Sequence, residues 1–263
     1  MMKGDVPMAG TYTQRARRSV KRAVAAANRR LMSEQERQQR VLEDFRALPN
    51  DIVRPEVIDR FHRYYYDEGF TGGTWHRTEW FGTTVWKCPL DLWIYQELIF
   101  ALRPDLIIET GTAFGGSARY LGGICELLGH GSVVSIDIAP QADLPEHPRV
   151  RYVTASSVDE GVLEDLRRQV RDLDTVMVIL DSDHSEAHVS QELKVYSDIV
   201  TVGSYLIVED TNVNGHPAYP DHGPGPMEAV DAFLEGRSDF ERDPDGSKFL
   251  LTFNPGGLLR RVR

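Results

Sequence analysis

Val176-Met177-Val178-Ile179-Leu180-Asp181 and, one helix further along, Tyr205-Leu206-Ile207-Val208-Glu209-Asp210 are two apolar runs that each end in acid. Uninterrupted β-branched runs of this length mark strands covered on both faces of a parallel sheet. Their carboxylates therefore sit at the carboxyl ends of the strands, where open α/β sheets bind ligands. Asp181, Glu209 and Asp210 converge on that crevice. Like charges so close repel unless a cation joins them, and an all-oxygen set suits a hard divalent ion, Mg²⁺ or Mn²⁺. The other reading, two strands that end in solvated acids, stays open at this point.

Strand and helix patterns alternate from Asp105 onward in the βαβ manner. Strands are predicted at Leu106 to Glu109, Val133 to Asp137, Val150 to Val153, Val176 to Asp181 and Tyr205 to Asp210. A final pair falls near Phe249 to Phe253 and Leu258 to Val262. Helices are predicted at Leu90 to Leu102, Ser117 to Leu128, Val162 to Arg171 and Glu186 to Val200. The outcome is an α/β fold, a doubly wound sheet with an antiparallel hairpin at its C-terminal edge.

The first of these strands runs into Glu109-Thr110-Gly111-Thr112-Ala113-Phe114-Gly115-Gly116-Ser117. Glycines let this turn approach a ligand closely, and the next helix offers N-terminal N–H groups to an anion. Asp137 closes the second strand, where an acid receives ribose hydroxyls. The dinucleotide fingerprint would place glycine at Ala113, so a nucleoside bearing a carboxylate is favoured over a pyrophosphate. S-adenosylmethionine is such a ligand.

The chain has 263 residues, 41% hydrophobic and 27% charged, enough for one sizeable core with appendages. A formal net charge of −10 argues against a general nucleic-acid binder. The two cysteines, Cys88 and Cys125, form no Cys-x-x-Cys pair, which points to a reducing cytoplasm. No apolar stretch is long enough to span a bilayer, and the start lacks a secretory core. Residues 1–48 read as an N-terminal extension: an unstructured start to Thr13, a basic Ala-rich helix from Arg15 to Arg30 and a polar helix from Glu34 to Leu48. Residues 49–263 form the main domain, with its core at about 86–263. Between them, Tyr64, Tyr65, Tyr66, Trp75, Trp80 and Trp86 are aromatics fit either to line a pocket or to pack as core.

Five motifs carry a resemblance: Trp86-Lys87-Cys88-Pro89-Leu90-Asp91-Leu92-Trp93, Ile107-Ile108-Glu109-Thr110-Gly111-Thr112, Ile179-Leu180-Asp181-Ser182-Asp183-His184, Ser204 to Asn212 and Gly223-Pro224-Gly225-Pro226-Met227-Glu228-Ala229-Val230. In this order, over Thr74 to Arg263, the chain is similar to the rhamnosyl O-methyltransferase and cephalosporin hydroxylase-like family of class I methyltransferases. The resemblance implies a Rossmann-like methyltransferase sheet, S-adenosylmethionine and Mg²⁺ (or Mn²⁺), and a deoxysugar hydroxyl as methyl acceptor in secondary metabolism, such as antibiotic biosynthesis. By motif, Asp181, Glu209 and Asp210 would hold the metal. Ser117 would take the methionine carboxylate, Glu109, Gly111, Thr112 and Gly115 would frame the methionine, Asp137 the ribose, and Ser156 with Ser157 the adenine. Related catechol-type enzymes carry a lysine three residues after the first metal ligand. This chain has His184, so the base is expected to be an imidazole, which accepts a proton near neutral pH. A helix N-cap or an outer contact to the metal ligands is the other role open to His184. His188 is expected at the surface, and Gly215 to Pro226, with His216 and His222, is expected to be a lid over the acceptor. A cytoplasmic homo-oligomer with a small-molecule acceptor and no nucleic-acid or membrane partner completes the expectation. Two alternatives are a hydroxylase, whose iron would call for two histidines and one carboxylate, and a non-catalytic cofactor-binding partner docked through the basic N-terminal helix.

Overall fold

A computed structural model describes residues 50–66 and 73–263. The helices expected in the extension and the Gly72 end of the Gly72-Gly73 loop lie outside the described residues. The chain divides into two compact units, Met1–Glu56 and Val57–Arg263. The second unit carries the sheet and the site.

The elements run α1 (Asn50–Tyr66), β1 (Glu79–Trp80), β2 (Thr83–Thr84), α2 (Pro89–Leu102), β3 (Leu106–Thr110), α3 (Gly116–Leu127), β4 (Ser132–Asp137), β5 (Val150–Thr154), α4 (Glu160–Val170), β6 (Val176–Leu180), α5 (Glu186–Tyr196), β7 (Tyr205–Val208), α6 (Pro226–Leu234), β8 (Phe240–Arg242) and β9 (Leu258–Arg261). Seven strands form one sheet in the order β5-β4-β3-β6-β7-β9-β8, and β1 and β2 form a separate hairpin. β3 lies parallel to both β4 and β6, with Ile108 opposite Val134 on one side and Val178 on the other. β9 runs antiparallel to β7 and β8. The strand order reverses at β3 and β6, which is the switch point where such sheets open a crevice.

Successive residues of each strand serve opposite layers, as the period of two demands. Ile108, Val134, Val178 and Leu206 pack with Leu166 of α4, Val189 and Leu193 of α5 and Val230 of α6. Ile107, Val133, Met177 and Ile207 pack with Tyr95 and Ile99 of α2 and Leu121 and Cys125 of α3. Both faces of β3 and β6 are therefore dry, so their sequences show no polar alternation. Local signals set the helix starts. Asp159 accepts the Val162 N–H at 3.0 Å to cap α4, and Ser185 accepts the His188 N–H at 3.4 Å to cap α5.

The hairpin at the C-terminal edge exists, but its first strand is β8, not Phe249 to Phe253. Phe253 is diverted from the ladder: its N–H donates to the buried Asp91 carboxylate at 2.8 Å and its carbonyl accepts from Asn212 N–H at 3.2 Å. The expected helix to Val200 stops at Tyr196. The aromatics expected to line a pocket or to pack as core fall into two groups. Trp80 packs edge-on against Tyr120 of α3, whereas Trp75 stacks on Tyr66 and meets Trp86 at a steep angle. Among the described residues no helix is long and apolar enough to cross a membrane.

Candidate active site

The crevice is built by the turns and loops at the carboxyl ends of β3, β4, β6 and β7. Gly111, next after β3, sits at φ +87°, and a Cβ there would lie 1.7 Å from the Asp181 carbonyl oxygen. Only glycine lets these two strand ends meet so closely. Ala113, where a dinucleotide fold would use glycine, takes φ +44° and is held by its N–H on Asp137 Oδ2 at 2.9 Å. Gly115, at φ +74°, opens α3.

Two cavities share Gly111. One, about 30 Å³, is lined by Trp86, Lys87, Thr112, Phe114, Ser117 and Asp181 among others. The other, about 480 Å³, is lined by Asp137, Ser156, Ser157, Ser182, Asp183 and His188 among others. The residues expected around a nucleoside with an amino-acid tail are thus arrayed along one crevice. Glu109 is fully buried at the end of β3; Ser135 donates to its Oε2 at 2.7 Å, while Oε1 has no partner. Thr112 is buried and its hydroxyl pairs with Ser135 at 2.7 Å, so it reaches Glu109 through that hydroxyl. Both Asp137 oxygens accept backbone N–H groups, from Ala113 and from Ala139, which fixes the carboxylate at the cavity rim.

At the other end of the crevice, Asp181, His184 and Asp210 bring one ligand atom each within 4.8 Å of one another. His184 Nε2 lies 3.2 Å from Asp181 Oδ1 and 3.3 Å from Asp210 Oδ2. Tyr66 donates to the remaining Asp210 oxygen at 3.3 Å. Asp210 itself holds φ +52°, a conformation that costs a non-glycine residue roughly 1 kcal/mol or more. Burial favours neutral imidazole, but Asp210 and Asp181 outweigh it and raise the His184 pKa to about 9.

Glu209, the middle acid of the expected metal set, stands apart from that trio. Its Oε2 accepts Lys87 Nζ at 2.7 Å and its Oε1 accepts the Tyr95 hydroxyl at 2.7 Å. Lys87 is buried and also binds Asp181 Oδ2 at 2.6 Å. Burial would lower the lysine pKa; Asp181 and Glu209 reverse this and keep the ammonium charged. Asn254 completes the frame: it donates to the Tyr95 oxygen and accepts the Asp210 N–H, each at 2.9 Å. Sequence patterning does not single out Lys87, Tyr95, Asn254 or Tyr66 for this role. A lysine in a loop reads as solvated, and its one trace is its place in the Trp86-Lys87-Cys88-Pro89 motif. His188, expected at the surface, is partly exposed and lines the larger cavity. The trio contains one histidine and two carboxylates, the reverse of the two-histidine iron set.

A family described as rhamnosyl O-methyltransferase/CmcI matches residues 72–262. The rhamnosyl O-methyltransferase of Mycobacterium tuberculosis (strain ATCC 25618 / H37Rv) is 38% identical over 220 residues, covering 81% of this chain and 86% of the relative. That of Mycobacterium leprae (strain TN) is 35% identical over 231 residues, covering 85% and 99%. A solved structure of CmcI with Mg and SAM matches in fold at a TM-score of 0.56 and 22% identity, covering 72% of this chain and 78% of that one.

Proposed function

Because the chain belongs to the rhamnosyl O-methyltransferase/CmcI family, we propose that this S-adenosylmethionine-dependent O-methyltransferase methylates a hydroxyl of a rhamnose-like deoxysugar, carried as a nucleotide sugar or a natural-product glycoside. The observation that carries the reading is the meeting of Asp181, His184 and Asp210 at the end of a crevice whose other end suits a nucleoside.

The residues present fit both groups. For the cofactor, Glu109 Oε1 is a buried acceptor with no partner, as an amino group requires. We assign Asp137 to the ribose hydroxyls, Ser117 at the N-terminus of α3 to the methionine carboxylate, and Ser156 with Ser157 to the adenine. For the cation, Asp181 and Asp210 offer hard oxygen donors to Mg²⁺ or Mn²⁺. Glu209 is the third carboxylate we assign to it, a role that gives up its bond to Lys87.

When bound, the cofactor supplies an electrophilic methyl group and the cation lowers the pKa of the acceptor hydroxyl. The chain itself does the positioning. Asp181 and Asp210 set where the acceptor oxygens sit, Lys87 keeps Asp181 oriented, and Trp86 with Phe114 screens the methionine end from water. With a cation neutralising Asp181 and Asp210, the two carboxylates would no longer hold His184 protonated, and its Nε2 would take the hydroxyl proton as the new C–O bond forms and the cofactor's sulfur–methyl bond breaks.

The test is methyl transfer to a deoxyhexose with neighbouring hydroxyls, followed as S-adenosylhomocysteine release, beside calorimetry of cofactor binding. EDTA should abolish transfer and leave cofactor binding in place, and replacing the hydroxyl beside the target by hydrogen should stop turnover. Full activity in metal-free protein, or equal turnover of the deoxy analogue, refutes the metal-chelated acceptor.

A further inference from the structure

Glu192 is a fully buried acid that methyl transfer does not use. It lies on α5, one turn after His188, so the two side chains share a helix face. Sequestering a carboxylate from water is costly unless its oxygens find partners. Glu192 Oε1 accepts the Ser182 hydroxyl at 2.8 Å and lies 3.6 Å from His188 Nε2, while Oε2 has no partner at all. Both neighbours of this half-satisfied acid, Ser182 and His188, line the 480 Å³ cavity. The same His188 nitrogen meets the hydroxyl of Ser157 at 3.1 Å, a third residue of that wall. Capping of α5 does not explain the arrangement, because Ser185 already accepts the His188 N–H.

A histidine whose Nε2 faces both a buried acid and a hydroxyl is oriented by them, the arrangement by which proteins aim an imidazole at a ligand. The cavity volume suits a nucleoside, and Asp137 occupies its opposite strand end. A purine edge offers an exocyclic amino donor beside ring-nitrogen acceptors, which an imidazole and a serine hydroxyl side by side can match. We propose that His188 reads the polar edge of the cofactor's adenine, with Glu192 as its positioning residue. The proposal rests on the S-adenosylmethionine reading of the crevice and goes beyond it by naming what selects the base.

The experiment compares S-adenosylhomocysteine with S-inosylhomocysteine, in which the amino group is replaced by oxygen, by calorimetry on the full chain. Wild-type protein should prefer the adenosyl compound by about tenfold or more, the effect of one well-placed hydrogen bond. His188→Ala should bring the two affinities within about threefold by weakening the adenosyl compound, with Mg²⁺ affinity unchanged. Glu192→Gln should narrow the same ratio, and should narrow it no further when His188 is already alanine, as expected of a group acting through His188. His188→Ala, a change at a partly exposed residue, carries the test by itself if Glu192→Gln does not fold. A His188→Ala protein that keeps the wild-type ratio overturns the proposal. Wild-type protein that binds neither compound overturns the cofactor reading itself.

Discussion

His184 reaches two carboxylates through one nitrogen, Asp181 at 3.2 Å and Asp210 at 3.3 Å. That geometry places it where an acceptor hydroxyl would meet the acids. His184→Ala should therefore lower kcat by about 10²-fold or more, the usual effect of losing a general base, with little change in cofactor affinity. Steady-state kinetics beside calorimetry of S-adenosylhomocysteine checks this; near-normal kcat would leave His184 with a purely structural role. Lys87 works differently. Its ammonium has no lone pair to accept a proton, since Asp181 and Glu209 hold it charged, and it donates to one oxygen of each acid. It is the fixed cation of the site, and losing it would leave buried carboxylates unbalanced.

The segment between β7 and α6 is an ordered element clasped at both ends by one carboxylate. Glu228, in the first turn of α6, accepts Asn214 Nδ2 and pairs with His216 Nε2, each at 2.9 Å, and accepts the Gly225 N–H at 2.8 Å. One carboxylate thus ties both ends of the expected lid to the start of a helix, where negative charge is also favoured. Burial works against ionisation, but the bonds from His216, Gly225 and Asn214 outweigh it and bring the pKa from 4.5 down to about 2. A carboxyl depressed on folding stabilises above its unfolded pKa, and that contribution is lost as pH falls through the folded value. The clasp should hold at pH 7 and weaken between about 4.5 and 2. In Glu228→Gln, amide exchange of the 214–225 segment should be about tenfold faster than wild type at pH 7, and the difference should shrink across that window. Equal exchange in the two proteins at pH 7 would show that the segment is held by something else.

At the scale of the molecule, one sheet separates two apolar layers, and a strand residue belongs to one or the other by its parity. Ile207 is fully buried between β7's neighbours and the α2–α3 layer. Ile207→Ala should cost about 2–5 kcal/mol, from lost transfer free energy and the cavity left behind. In a unit of this size that is a fall in Tm of roughly 5–15 °C by calorimetry. A change under about 2 °C would mean that the layers relax into the space, contrary to close packing on both sides.

The sheet was legible in the chain because its strands are buried on both faces and announce themselves as unbroken apolar runs rich in Val and Ile, as Val176 to Leu180 and Tyr205 to Val208 show. The acids that end those runs, and the glycine turn after β3, were legible for the same local reason: residues next to a strand end are carried to one edge of the sheet. Phe249 to Phe253 shows the limit, since it has strand composition but its Phe253 N–H goes to Asp91, 162 positions away. The same limit applies within the site. Glu209 and Asp210 are adjacent in sequence, yet only tertiary contacts separate them, one onto Lys87 and Tyr95, the other onto His184 and Tyr66. Lys87, Tyr95 and Asn254 come from elements that strand periodicity does not connect to β7. Local pattern decides which atoms arrive at the edge of the sheet; which of them face each other is decided by side-chain packing across segments far apart in the chain, and no spacing rule encodes that.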